Sequence, residues 1–304
     1  MPSGISLHIG LNAVDPKQYS GWSGELSGCE FDAKDMRAIA KRHGFATTLR
    51  MTKSATRNKI LGDLKRAAKK LRRNDILFLT YSGHGGQVPN TGNDFEPDGF
   101  DETWCLYDGE LIDDELYSAL GSFAAGVRIF VLSDSCHSGT VLREARFAAL
   151  GVTPARPRMM PRDIDLRELN PNFGGSRAVR EKFMGRNGST KKLGAAMSLR
   201  EHRTENEYDK APSGRPGPYM PVVMTACEEG GYAYEYHHGA IGHGVFTYAL
   251  AKEFRKARQA GVSFNELRIR VNTVMKNLRY DQTSNVEGPR KICAGPMLAA
   301  PRKR

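Results

Sequence analysis

Cysteine is scarce in this chain. There are five (29, 105, 136, 227 and 293) in 304 residues, an odd number with no CxxC pair. That argues against a disulfide framework and against a structural zinc site. No run of eighteen apolar residues occurs, so no membrane-spanning helix is expected. The N-terminal MPSGISLHIGLNAV lacks the basic start and long apolar stretch of a signal peptide. The expectation is therefore a cytoplasmic protein with no membrane partner. Acidic residues are also short, 34 against 45 Lys and Arg, for a net charge of +11. Such a surplus can mean nucleic acid. Here residues 141–219 alone hold 16 basic against 9 acidic residues, in a Pro-, Gly- and Ser-rich stretch with no aromatic-interleaved basic helix. That pattern reads as a solvated insertion, and no nucleic-acid partner is expected.

What is present is an alternation of strands and helices. Residues 4–14, 45–51, 75–81, 127–134 and 221–227 read as strands, and DILFLTY and VRIFVLSD are apolar enough to be covered on both faces. Helical spacing of apolar residues marks 32–43, 54–73, 112–123, 244–258 and 263–279, and 290–298 reads as a final strand. The fold class is α/β, with a mostly parallel, doubly wound sheet. Residues 141–219 break the pattern and are expected to bury little surface.

Two segments carry chemistry. Tyr81-Ser82-Gly83-His84-Gly85-Gly86 follows one buried strand, and Asp134-Ser135-Cys136-His137-Ser138-Gly139 follows another. Open α/β sheets place their sites at such carboxyl ends. An imidazole beside a thiol can take its proton and later protonate a leaving amine. The N–H groups of Gly85 and Cys136 are candidates for holding the oxyanion that develops. Alternation along extended chain puts Asp134 on the side of Cys136 and turns His137 away, so His84 is the candidate base. Asp134 beside the nucleophile suggests a pocket for a positive substrate group. A lone buried cysteine is usually only a small hydrophobe, and a lone SGHGG only a turn. Both at equivalent strand ends point to catalysis.

YSGHG and DSCHSG resemble the His and Cys motifs of the metacaspases and their bacterial relatives, the orthocaspases, within the caspase-like cysteine peptidases. The separation of the two residues is close to the roughly 50 between base and nucleophile in caspases. LSGCEFD (26–32), DGFDE (98–102), DDE (113–115) and VFT (245–247) extend the likeness over roughly residues 5–140 and 219–290. The resemblance implies a caspase-like (caspase-haemoglobinase) fold with helices on both faces of the sheet. It implies a large-subunit-like part at 1–140, a basic processing linker at 141–219, and a small-subunit-like part at 220–304. It also implies an endopeptidase that cuts protein or peptide substrates after Arg or Lys, with Cys29, Asp32, Ser82 and Asp134 in the pocket. Asp32, near the start of a helix, has a second reading as its cap.

The dyad chemistry requires no cofactor. Asp98, Asp101, Asp113 and Asp114 lie in an acid-rich stretch able to suit calcium, although Thr140-Val141-Leu142-Arg143-Glu144 departs from what calcium-dependent members carry. An enzyme that cuts after basic residues can cut its own linker, or another protease can activate it there. Arg177, Arg180, Arg186, Lys191, Lys192 and Arg200 are the candidate sites. The expected state is a monomer. The competing readings are a catalytically silent interaction module with the same fold, and a metal-dependent hydrolase.

Overall fold

Successive side chains of the central strands serve two different cores. In β3 (Ile76–Ser82), Ile76 and Phe78 face one way and Leu77 and Leu79 the other; in β7 (Arg128–Asp134), Phe130 and Leu132 oppose Ile129 and Val131. That is period-2 alternation on a sheet buried on both faces. A computed structural model describes residues 4–89, 100–136, 158–161, 221–228, 232–238, 241–256 and 262–295.

The sheet also contains β1 (Gly4–Gly10), β2 (Ala46–Met51), β8 (Val222–Thr225) and β11 (Asn285–Glu287), in the order β11-β8-β7-β3-β1-β2. All neighbours are parallel except β11, which runs antiparallel to β8. Helices α1 (Cys29–Arg42), α4 (Val245–Lys256) and α5 (Phe264–Asn277) cover the face built from Phe78, Phe130, Leu132 and Met224. Helices α2 (Arg57–Lys70) and α3 (Asp113–Gly121) cover the other, against Leu7, Ile9, Leu79 and Val131. A three-stranded antiparallel sheet, β4 (Gly85–Pro89), β5 (Phe100–Leu106) and β6 (Gly109–Ile112), leaves the end of β3. The hairpin β9 (Glu235–His238) and β10 (Ile241–Gly244) precedes α4.

Register matters for the site. Gly10, Ser82 and Asp134 are neighbours across β1, β3 and β7 at their carboxyl ends. A Cβ on Gly10 would collide with the Cys29 carbonyl, so this glycine lets the start of α1 pack onto the strand end and brings Asp32 to it. The tail differs from the expected strand at 290–298: Arg290–Cys293 is a short helix, α6, and the edge strand is Asn285–Glu287.

Candidate active site

His84 sits in the tight turn between β3 and β4. Its carbonyl accepts from the Tyr81 hydroxyl at 2.6 Å and from Cys105 N–H at 3.0 Å, which fixes the backbone. Tyr81 is itself held flat on Trp104, ring centroids 4.4 Å apart. Nε2 lies 3.1 Å from the Gly24 carbonyl, and the ring packs on Trp22 at 4.8 Å. A carbonyl only accepts, so Nε2 carries the hydrogen and the buried Nδ1, which has no hydrogen-bond partner, keeps its lone pair. Burial drives the imidazole down from 6.5 to about 3, against the pull of the Gly24 carbonyl. The ring is thus a neutral base in a fixed tautomer. Gly24 has φ +54, and a Cβ there would press on Trp22 and the His84 ring.

Cys136 follows β7 by two residues and is fully buried. Its thiol lies against Ala233, 3.5 Å from the carbonyl and accepting from the N–H. The N–H groups of Gly85 and Cys136 converge on one carbonyl oxygen, that of Arg158, at 3.1 Å each. Two backbone donors aimed at one oxygen form the arrangement that stabilises a tetrahedral oxyanion. The same segment is anchored on both sides: Arg158 N–H donates to the Ala233 carbonyl at 3.0 Å, and Met160 N–H to the Gly85 carbonyl at 2.8 Å.

The Arg158 side chain enters a pocket at the strand ends. Nη2 is 2.9 Å from Asp32 Oδ2 and 4.0 Å from Glu235 Oε1; Nη1 is 2.6 Å from Ser82 Oγ and 3.3 Å from Asp134 Oδ1. Each acid is oriented by backbone or hydroxyl donors. Asp32 Oδ2 accepts from Ser82 Oγ at 2.7 Å and Gly244 N–H at 2.9 Å, while Oδ1 meets His243 Nδ1 at 3.1 Å. Asp134 Oδ2 accepts from Thr247 N–H at 2.9 Å and Oγ1 at 2.6 Å. Glu235 accepts from Ser27 N–H and Gly28 N–H at the start of α1. Asp32 therefore does not cap its helix, whose N-cap is Gly28 without a side-chain bond. Burial raises the Asp134 carboxyl, opposed by the Arg158 guanidinium. Burial also pushes the Cys29 thiol up to about 12, so Cys29 is a neutral wall beside these charges. A Cβ on Gly244 would strike the Asp134 carboxylate.

The structure thus brings together Cys29, Asp32, Ser82, His84, Gly85, Asp134 and Cys136. Sequence reasoning missed Trp22, Gly24, Ala233, Glu235, His243 and Thr247. Glu235, an isolated acid in the aromatic run Tyr232-Ala233-Tyr234-Glu235-Tyr236, was the one signal available. It also missed Arg158, and here the expectation for the insertion needs correction. Arg158 is fully buried and Met160 6% exposed, because the guanidinium exchanges water for carboxylates and the backbone finds partners on both sides. Asp101 lies on β5, and Asp113 and Asp114 open α3. Among the described residues no group of three His, Cys, Asp or Glu could hold a metal ion. Asp98, His137, Arg177, Arg180, Arg186, Lys191, Lys192 and Arg200 lie outside the described residues. No described helix is long and apolar enough to cross a membrane.

A parallel α/β sheet presenting a thiol and an imidazole at adjacent strand ends, above a carboxylate pocket, defines the site of a caspase-like cysteine peptidase. The sequence-family comparison agrees: the caspase-domain model matches residues 13–291, and the chain belongs to that family of peptidases. Its relatives place it on the metacaspase side. Metacaspase-1 of Kluyveromyces lactis is 35% identical over 152 residues, 45% of this chain and 34% of that protein. Metacaspase-1 of Schizosaccharomyces pombe is 25% identical over 96% of this chain and 67% of its own length. The chain spans about a third of most of the curated relatives it matches. Among solved structures, protein GSU0716 from Geobacter sulfurreducens is 40% identical with a TM-score of 0.70, covering 94% of this chain and 93% of that one. Caspase-1 from Spodoptera frugiperda shares the fold at 13% identity, TM-score 0.53, covering 95% and 87%.

Proposed function

We propose that the protein is a cysteine endopeptidase that cleaves protein substrates after Arg, and less readily after Lys, through Cys136 and His84. The Cys136 thiol passes its proton to Nδ1 of His84 and attacks the scissile carbonyl. The N–H groups of Gly85 and Cys136 hold the oxyanion, and His84 returns the proton to the leaving amine. Water then hydrolyses the thioester. No step in this chemistry calls for a metal. Control by cutting within 141–219 is part of the same proposal.

One observation carries the reading: a guanidinium lies among Asp32, Asp134 and Ser82 while the carbonyl of the same residue accepts from both candidate oxyanion donors. Arginine is favoured over lysine because Nη1 and Nη2 engage different acids at once, which a single ammonium cannot do. The test is a panel of fluorogenic peptides differing in the residue before the cut, with and without calcium. Hydrolysis after Arg and Lys, and none after Asp, is the expected result. Preference for Asp would refute it.

A further inference from the structure

The pocket's occupant is part of the chain itself. Arg158 places its side chain among the carboxylates, its carbonyl oxygen on Gly85 N–H and Cys136 N–H, and its own N–H on Ala233. Past the carbonyl, Met159 bridges Gly85 in parallel register, and Met160 packs with Val14, Tyr19, Cys105 and Trp22. The chain is therefore gripped on both sides of one peptide bond. We propose that Arg158–Met159 is the bond this protein cuts in itself, and that until it is cut Arg158 occupies the pocket and shuts out other substrates.

The proposal rests on the peptidase reading and adds the bond and the gating. Its chemistry balances. The Cys136 sulfur bonds to the Arg158 carbonyl carbon, and the thiol proton goes to His84. The bond from that carbon to Met159 N breaks, and the nitrogen takes the proton from His84. Water then cleaves the thioester, leaving an Arg158 carboxylate, a free amine on Met159 and the thiol restored. In this step His84 is the group that protonates the Met159 nitrogen as it leaves. A tethered occupant competes at an effective concentration on the order of millimolar, so a peptide at micromolar concentration cannot displace it.

Purified full-length chain would be incubated and followed by intact mass and N-terminal sequencing. The expected products are 1–158 and 159–304, formed with first-order kinetics unchanged by hundredfold dilution, and absent in Cys136→Ala. A main boundary elsewhere with Arg158–Met159 intact, or a rate proportional to concentration, overturns the proposal. Two variants separate it from the peptidase reading. Met159→Pro is expected to keep Arg158 in place, because among the described residues the bonds that hold the segment use the N–H groups of Gly85, Cys136, Arg158 and Met160 and not that of Met159, but it resists cleavage. It should stay whole, melt like Cys136→Ala, and hydrolyse an Arg peptide at least tenfold more slowly than cut wild type. Arg158→Gln should also stay whole at this bond yet hydrolyse the peptide. A Met159→Pro chain that is whole and as active as cut wild type refutes the gating. If Arg158→Gln and wild type both fail on every peptide while folded, the peptidase reading itself falls.

Discussion

Asp134→Asn isolates the electrostatic part of substrate selection. The carboxylate stands 3.3 Å from the guanidinium, and its other oxygen is fixed by Thr247. At an effective dielectric of about 20 that separation corresponds to an attraction of about 5 kcal/mol. Removing one partner of a buried pair costs roughly 3–5 kcal/mol. Asp32 at 2.9 Å and Glu235 at 4.0 Å remain to face the cation, so the lower end applies. A loss of about 3 kcal/mol is roughly 150-fold in kcat/KM. Asparagine has the same shape, but whichever way its amide is turned it presents either N–H groups to the Thr247 donors or N–H groups to the guanidinium. The assay compares two peptides on enzyme that has already been cut: one with Arg before the scissile bond and one with the neutral isostere citrulline. The Arg peptide should lose roughly 150-fold and the citrulline peptide far less. Equal losses would mean that the substitution merely disturbs the site, and the charge argument would be refuted.

Cys136→Ala should abolish hydrolysis without unfolding the protein, since it removes a nucleophile but little volume; residual turnover at the wild-type rate would show another nucleophile. His84→Ala should lower kcat by about 10²–10⁴, the range for a positioned acid–base group, as measured on the Arg peptide. Gly244→Ala drives a methyl into the Asp134 carboxylate, so it should raise KM for Arg peptides more than it lowers kcat for citrulline ones. Glu110, buried on β6 and hydrogen-bonded by Thr103, is raised from 4.5 to about 7 by burial. The folded state therefore holds its proton more tightly than the unfolded state. Its stabilising effect is complete below about pH 4.5 and is lost as pH rises to about 7, roughly 3 kcal/mol in all. In a Cys136→Ala background, Glu110→Gln should remove that slope and be the more stable chain at pH 8 by urea unfolding; identical pH profiles would contradict the assignment.

The sheet was legible because its central strands are buried on both faces and so read as apolar runs, and because Gly44 and the helical spacing of Met36, Ile39 and Ala40 mark the end of α1. His84 and Cys136 stood out as the candidate dyad because both sit in glycine-bearing turns at strand ends, and the structure puts those ends side by side. What sequence could not give was assembly at a distance. β5 is a strand in which acids and apolar residues mix, FDETWCL, and its acidic neighbours made the region read as an acid-rich stretch suited to a cation and not as a strand. Glu235 comes to the pocket only because the β9–β10 hairpin folds back over the start of α1, where Ser27 and Gly28 offer unpaired N–H groups. Gly24 and Trp22 act through a carbonyl and a ring face, neither of which leaves a motif. Arg158 was hidden by composition: one arginine among 16 basic residues in the insertion carries no mark until its partners are placed around it.

Those partners explain why the pocket and its occupant belong together. Asp32, Asp134 and Glu235 are all nearly inaccessible to water, and three buried carboxylates repel one another and lose their hydration. One guanidinium relieves both costs at once, donating through Nη1 and Nη2 to groups that the fold has already oriented. Once Arg158 leaves, the pocket must admit water, take up a proton on Asp134, whose carboxyl burial already raises, or bind another cation. Under the proposed function, the same physics holds the uncut chain closed and selects a basic side chain in the next substrate. In that proposal specificity and latency are one arrangement of charge, and a substitution that weakens the first is expected to loosen the second.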